Sequence, residues 1–241
     1  MFKKIRSFLG QLLSETNQHK IVLMLSNIFW NLRKYFLGVE IIYEKEFNDN
    51  WKKIKDFSAQ DKERNYALYQ LIKKHNALFT QNKNIIEFGV SRGASLYTIC
   101  NFVNSNTNVY GLDHFGKKSE YVKNIISKYD DHYINRIPFS AESHFKNFDH
   151  KILESKINKE FEHKELKLEL IECLFPNKIE DNYMEKLKKL KFSFVSLDFD
   201  LYEPTLDALN FALQRLETAG IIFIDDYNFI NQSGIKQAVK D

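Results

Sequence analysis

Four short apolar runs, each carrying an acid or a glycine at its end, constrain this chain more than any other feature. They are NIIEFGV (84–90), NVYGLDHF (108–115), FSFVSLD (192–198) and IIFIDD (221–226). Runs so short and so continuously apolar read as strands buried on both faces. When they alternate with helices, the result is a parallel sheet covered on both sides. The intervening stretches supply the helices. Ser58 with Asp61 three residues later has the form of a capping box opening a helix through about Leu78, and GASLYTICNFV (93–103) is helical. After ELKLELIECLF (165–175), a helix is expected over about 179–190, and another starts near Pro204 and stops at Gly220. Residues 116–163 show weak helical periodicity and no clear strand. The expected fold is α/β: a Rossmann-like, doubly wound, mostly parallel sheet with helices on both faces and the first strand central.

The rest of the chain bounds this expectation. Its 241 residues suffice for one sizeable α/β domain with extra helices. A formal charge of +3, with basic and acidic residues interleaved, gives no electrostatic footprint for nucleic acid. Cys100 and Cys173 are the only cysteines and no His or Cys pair has zinc spacing, which fits a reducing, cytoplasmic setting. Residues 1–57 read as an N-terminal helical extension, a lid or an oligomer arm, ahead of a catalytic domain over 58–241. MFKKIRSFLGQLL places Phe2, Ile5, Phe8, Leu9, Leu12 and Leu13 on one helical face. Such a basic amphipathic helix packs on its own domain or on a second copy of the chain; the alternative is peripheral contact with a membrane surface. IVLMLSNIFW (21–30) is too short to span a bilayer.

Parallel sheets of this kind bind ligands beyond the C-terminal ends of their strands, where strand order reverses. EFGVSRG follows the first strand: Gly89 permits a sharp turn and Gly93 lets the next helix start close to the sheet, leaving backbone amides open to a ligand. Ser91 stands where a dinucleotide fingerprint has its second glycine, so the turn alone is a weak signal. Glu87 near the end of the same strand and Asp113 at the end of the next strengthen it, since a carboxylate there holds ribose hydroxyls. The last two strands close on Asp198, Asp200, Asp225 and Asp226. Any one of these is more simply a solvated strand end. Four at the ends of two neighbouring strands, spaced about 4.8 Å apart, crowd carboxylates together, and a cation relieves that crowding. All-oxygen ligands favour Mg²⁺, with Mn²⁺ or Ca²⁺ possible, over zinc.

The segments IIEFGVSRGASL, VYGLDHF, LELIECLF, FSFVSLDFDLYEPTLDAL and GIIFIDDYN together resemble S-adenosylmethionine-dependent O-methyltransferases of the macrocin O-methyltransferase type, over about residues 62–240. The pairing of LDFDLYEPT with DDY is its most specific part. The resemblance implies methyl transfer to a sugar hydroxyl, on a polysaccharide precursor or a glycosylated metabolite, with a divalent metal, Mg²⁺ or Mn²⁺. Carried over by position, Glu87, Gly89, Val90, Ser91, Gly93, Ser95 and Asp113 would line the S-adenosylmethionine pocket. Asp198, Asp225 and Asp226 would bind the metal, and Asp200 would be the base. His114, Tyr202 and Tyr227 are the candidates on the acceptor side. Beyond the acceptor, the expected partner is a second copy of the chain. Where the family has a Gly-Leu-Pro loop after its second strand, GKKSEYVKN stands here, and the family's last two strands are missing, so the domain is expected to be C-terminally incomplete. The Asp-x-Asp stretch also fits two rivals, a haloacid-dehalogenase-type phosphatase and a metal-dependent glycosyltransferase, and a third alternative is an inactive Rossmann-like binding module. Both enzyme rivals need more chain after the motif than the roughly forty residues that follow it.

Overall fold

In a computed structural model, residues 41–80, 83–116, 125–130, 145–227 and 233–241 are described. The contacts divide the chain into two units, Met1–Glu44 and Lys45–Asp241, and every element below lies in the second. In chain order these are α1 (Lys45–Ile54), α2 (Lys62–Leu78), β1 (Lys83–Phe88), α3 (Ala94–Phe102), β2 (Thr107–Asp113), α4 (His150–Glu160), β3 (Lys167–Glu172), α5 (Asp181–Lys188), β4 (Phe192–Leu197), α6 (Tyr202–Leu213), β5 (Leu216–Ile224) and α7 (Ser233–Lys240). The amphipathic stretch at 2–13, the apolar run at 21–30 and much of 116–163 lie outside the described residues. Among the described residues, no helix is long and apolar enough to cross a membrane.

The strands form one parallel sheet in the order β3-β2-β1-β4-β5, with β1 central as expected. Alternation along the strands builds two cores. Ile85, Val109 and Leu170 face one layer with Leu68 and Ile72 of α2, Leu96 and Ile99 of α3 and Ile157 of α4. Ile86, Tyr110 and Val195 face the other with Leu187 of α5 and Ala208 and Ala212 of α6. On α2 the buried positions Asn65, Leu68, Tyr69, Ile72 and His75 recur at helical spacing, so one stripe meets the sheet side. The crossover from β3 to β4 changes layers, which makes the C-terminal ends of β1 and β4 the point where strand order reverses.

Two local expectations need correction. The cap of α2 is Asp61, not Ser58: its Oδ1 accepts the Arg64 backbone N–H at 2.8 Å, while the Ser58 hydroxyl donates to the Gln60 carbonyl at 3.0 Å. Gly220 does not stop a helix. α6 ends at Leu213, and the chain enters β5 at Leu216, opposite Phe192. It then bulges and rejoins the ladder at Ile221, opposite Phe194. Ala219 takes a left-handed φ of 64° within that bulge, so Gly220 serves a strand irregularity.

Candidate active site

The turn after β1 is held by both neighbouring strands. The Gly89 N–H donates to the Leu112 carbonyl at 2.9 Å, and the Asp198 N–H donates to the Phe88 carbonyl at 2.8 Å. Gly89 has φ 86°, and a Cβ on it would stand 2.0 Å from the Asp198 carbonyl oxygen, so only glycine fits. Gly93 precedes α3 with φ 87° and packs against Leu153. Ser91 takes φ 53° and donates its backbone N–H to Asp113 Oδ2 at 2.8 Å, while the Phe115 N–H reaches Asp113 Oδ1 at the same distance. Asp113 is thereby fixed across the two strand ends, and each oxygen keeps a lone pair for a ligand's hydroxyl. Val90 in the turn and Ser95 in the first turn of α3 are buried.

Glu87 is fully buried, opposite Ser196 in the β1–β4 register, and the Ser196 hydroxyl donates to its Oε1 at 3.4 Å. Its Oε2 has no hydrogen-bond partner among the described residues. Burial, helped by Asp113 and Asp225, pushes the carboxyl up to about 8 against the hydrogen bonds from Ser95 and Ser196. A buried acid with an idle oxygen beside a glycine turn suits a ligand that brings a donor, above all a cationic one. The turn and its acids fit a nucleoside carrying an amino-acid tail.

The second acid group gathers at the ends of β4 and β5. Asp198, Asp200 and Asp226 each offer a carboxylate oxygen, all within 4.8 Å of one another. Asp200 and Asp226 sit in left-handed backbone, φ 62° and 57°, a conformation uncommon for a residue with a side chain. Burial and the neighbouring carboxylates of Asp225, Asp200 and Asp226 push Asp198 well above the usual carboxylate range, against the pull of Arg64. Asp225 is buried, its backbone N–H donating to the Leu197 carbonyl at 2.9 Å. Its Oδ2 accepts from Gln60 Nε2 at 2.8 Å and from Arg64 Nη1 at 3.4 Å, and Arg64 Nη1 also donates to Asp226 Oδ1. This all-oxygen donor set fits a hard divalent cation.

Gln60 and Arg64 escaped sequence reasoning. They stand 165 and 161 residues from Asp225, and neither carries a local signal beyond its place at the start of a helix. Of the acceptor-side candidates, His114 accepts the Gly116 N–H on Nδ1 at 2.9 Å, its ring 5.7 Å from that of Phe145. Tyr202 packs against Tyr129, ring centres 4.7 Å apart, and donates its hydroxyl to Asp241 at 2.7 Å. Tyr227 is half-buried, with Lys236 Nζ 6.0 Å from its ring centre.

Residues 86–227 match a family model described as a methyltransferase domain. Among solved structures, the chain is similar to the O-methyltransferase NovP at 18% identity and a TM-score of 0.45, covering 73% of this chain and 69% of that one. It is similar to the TDP-rhamnose 3'-O-methyltransferase of calicheamicin biosynthesis at 16% identity and a TM-score of 0.48, covering 95% and 86%. A third similar structure is an O-methyltransferase from Bacillus cereus in complex with SAH, at 13% identity and a TM-score of 0.44, covering 87% and 82%. No curated protein matches the sequence.

Proposed function

This chain belongs to the methyltransferase-domain family, and from that premise we propose that it carries a methyl group from S-adenosylmethionine to a sugar hydroxyl, with a divalent metal, Mg²⁺ or Mn²⁺, at the second acid group. The observation that carries the proposal is the contact between the two half-sites: the turn at Gly89 rests on the Asp198 carbonyl, and Asp198 begins the acid cluster. The matched residues include the Asp-x-Asp stretch itself, which favours methyl transfer over the phosphatase and glycosyltransferase alternatives.

In this proposal the amides of the 89–93 turn, with Val90, Ser91 and Ser95, seat the methyl donor. Asp113 accepts its ribose hydroxyls, and the idle oxygen of Glu87 accepts from its amino-acid tail. Asp198, Asp225 and Asp226 hold the metal. Bound there, a metal would supply Lewis-acid polarisation of the acceptor hydroxyl. Asp200, two residues beyond Asp198, takes the hydroxyl proton as the oxygen attacks. When bound, S-adenosylmethionine would supply the methyl group, its sulfur–carbon bond breaking as the acceptor's oxygen–carbon bond forms and its sulfonium leaving as a neutral thioether. His114, Tyr202 and Tyr227 are assigned to the acceptor side. A second assignment is favoured by the three oxygens within 4.8 Å: Asp200 is then a ligand, and Asp225 mainly anchors α2 through Gln60.

Calorimetry tests the two half-sites separately. S-adenosylhomocysteine is expected to bind in the presence of a chelator, because its residues lie over β1 and β2 while the metal's lie over β4 and β5. Loss of binding with the chelator would mean that the half-sites are not independent. Failure to bind under any condition would remove the methyl-transfer proposal.

A further inference from the structure

Gln60, just before α2, and Arg64, in its first turn, reach into the acid cluster, and the chemistry above gives Arg64 no part. Resting on the metal reading just given, we propose that Arg64 sets the metal affinity of this site: its guanidinium is the internal counter-cation of the acid cluster, and a divalent ion binds in competition with it.

Arg64 Nη1 donates to Asp226 and lies 3.4 Å from Asp225 Oδ2, so it occupies two of the three carboxylates assigned to the metal. The setting is not open surface. The Arg64 side chain is 30% exposed, Asp226 9% and Asp225 3%, so the charges are only partly screened by water. In the ion-free protein, one guanidinium relieves the mutual repulsion of Asp198, Asp200, Asp225 and Asp226. A divalent ion held by the same oxygens would stand beside that fixed positive charge, and the two cations repel.

Gln60 is held more firmly. Its Nε2 donates to Asp225 at 2.8 Å and lies 3.4 Å from Asp198 Oδ2, so it turns its amide N–H groups toward the cluster. Its Oε1 accepts from Asn65 at 3.5 Å. Behind Asn65 a buried chain continues through Thr98 and Asn50 to Asn101. Arg64, by contrast, has a second carboxylate on its own helical turn. Asp61 Oδ2 lies 3.5 Å from Arg64 Nε, and that side chain is 55% exposed. A guanidinium displaced from Asp226 keeps the Asp61 carboxylate, already within ion-pair distance, on the same helical turn. Its departure releases Asp226 Oδ1, while Asp225 Oδ2 stays bonded to Gln60.

A purely structural Arg64 would behave in the opposite sense: removing it would loosen the strand ends and weaken metal binding. The test is Mn²⁺ binding to the whole chain, read from the electron paramagnetic resonance signal of free Mn²⁺ and by calorimetry. Arg64→Met is expected to bind Mn²⁺ about ten- to hundred-fold more tightly than wild type. It should also melt lower than wild type without the ion and recover when the ion is added. Asp61→Asn removes the alternative partner and is expected to bind several-fold more weakly. Should the methionine variant fail to fold, Arg64→Gln keeps a donor without the charge and is expected to tighten binding in the same direction. Equal or weaker binding in the folded Arg64 variant, with wild type still binding, overturns the competition and leaves the metal reading in place. Absence of Mn²⁺ binding in every form overturns the metal reading and this inference with it.

Discussion

Gly89 and Asp198 touch through their backbones: a single carbon added to Gly89 would stand 2.0 Å from the Asp198 carbonyl oxygen. The glycine turn of β1 and the first acid of β4 are therefore one rigid unit, joined also by the Asp198 N–H donating to Phe88. A change in the backbone at this contact displaces residues of both half-sites, although neither ligand needs the other in order to bind.

Gly89→Ala consequently strikes both halves. The left-handed backbone alone costs roughly 1–3 kcal/mol, and the overlap is with backbone, which cannot rotate away. Calorimetry on the folded fraction is expected to show weakened binding of both S-adenosylhomocysteine and Mn²⁺. Loss of the nucleoside alone would show that the acid cluster is placed independently of the turn.

Glu87 gives a pH signature in the ligand-free protein. Its carboxyl is raised from 4.5 to about 8 in the fold. Between those values the folded chain keeps a proton that the unfolded chain has lost, so the contribution of Glu87 to stability is full below 4.5 and drains away as pH rises through 8. Glu87→Gln mimics the protonated form. It is expected to melt with wild type near pH 5 and above it at pH 8.5, by roughly 2–4 °C for each kcal/mol regained. Identical melting at both pH values would mean that Glu87 is ionised when buried.

The backbone of Asp200 carries a prediction about strain. Its φ of 62° is left-handed, where glycine is at ease and alanine is not. Asp200→Gly should be more stable than Asp200→Ala by about 1 kcal/mol, with the reference left-handed penalty at 1–2, measured from urea midpoints. Equal stabilities would mean that another conformation is accessible at this position.

The sheet and its acids were legible because short, doubly buried strands must be apolar throughout, so Asp113, Asp198 and Asp225 stand out where the runs end. The partners of those acids were not legible. Gln60 and Arg64 arrive from a helix placed before the first strand, and folding alone brings them to Asp225. The start of β5 was missed for a related reason. Glycine after a helix reads as a stop, but Gly220 lies in a bulge whose register is set by pairing with Phe192 and Phe194. Asp61 belongs to the capping signal that Ser58 opens, yet the cap forms one turn later than the Ser58 pattern implies.

The sharpest prediction separates Asp198 from Asp200. Asp198 is assigned to the metal, and burial among like charges raises its carboxyl well above the usual carboxylate range. Asp198→Ala is expected to lose Mn²⁺ affinity and, with it, methyl transfer. Asp200→Asn keeps the shape and hydrogen-bonding capacity of the side chain but cannot take a proton from the acceptor. If Asp200 is the base, this variant retains metal and S-adenosylhomocysteine binding while turnover falls, by the roughly 10²–10⁴-fold that a general base contributes. Mn²⁺ titration of both variants, beside turnover on a sugar acceptor, reads the difference. Equal loss of metal in both would make Asp200 a second ligand, as its oxygen within 4.8 Å of those of Asp198 and Asp226 allows. Near-normal turnover in Asp200→Asn would leave the metal alone to activate the hydroxyl and would end the base assignment.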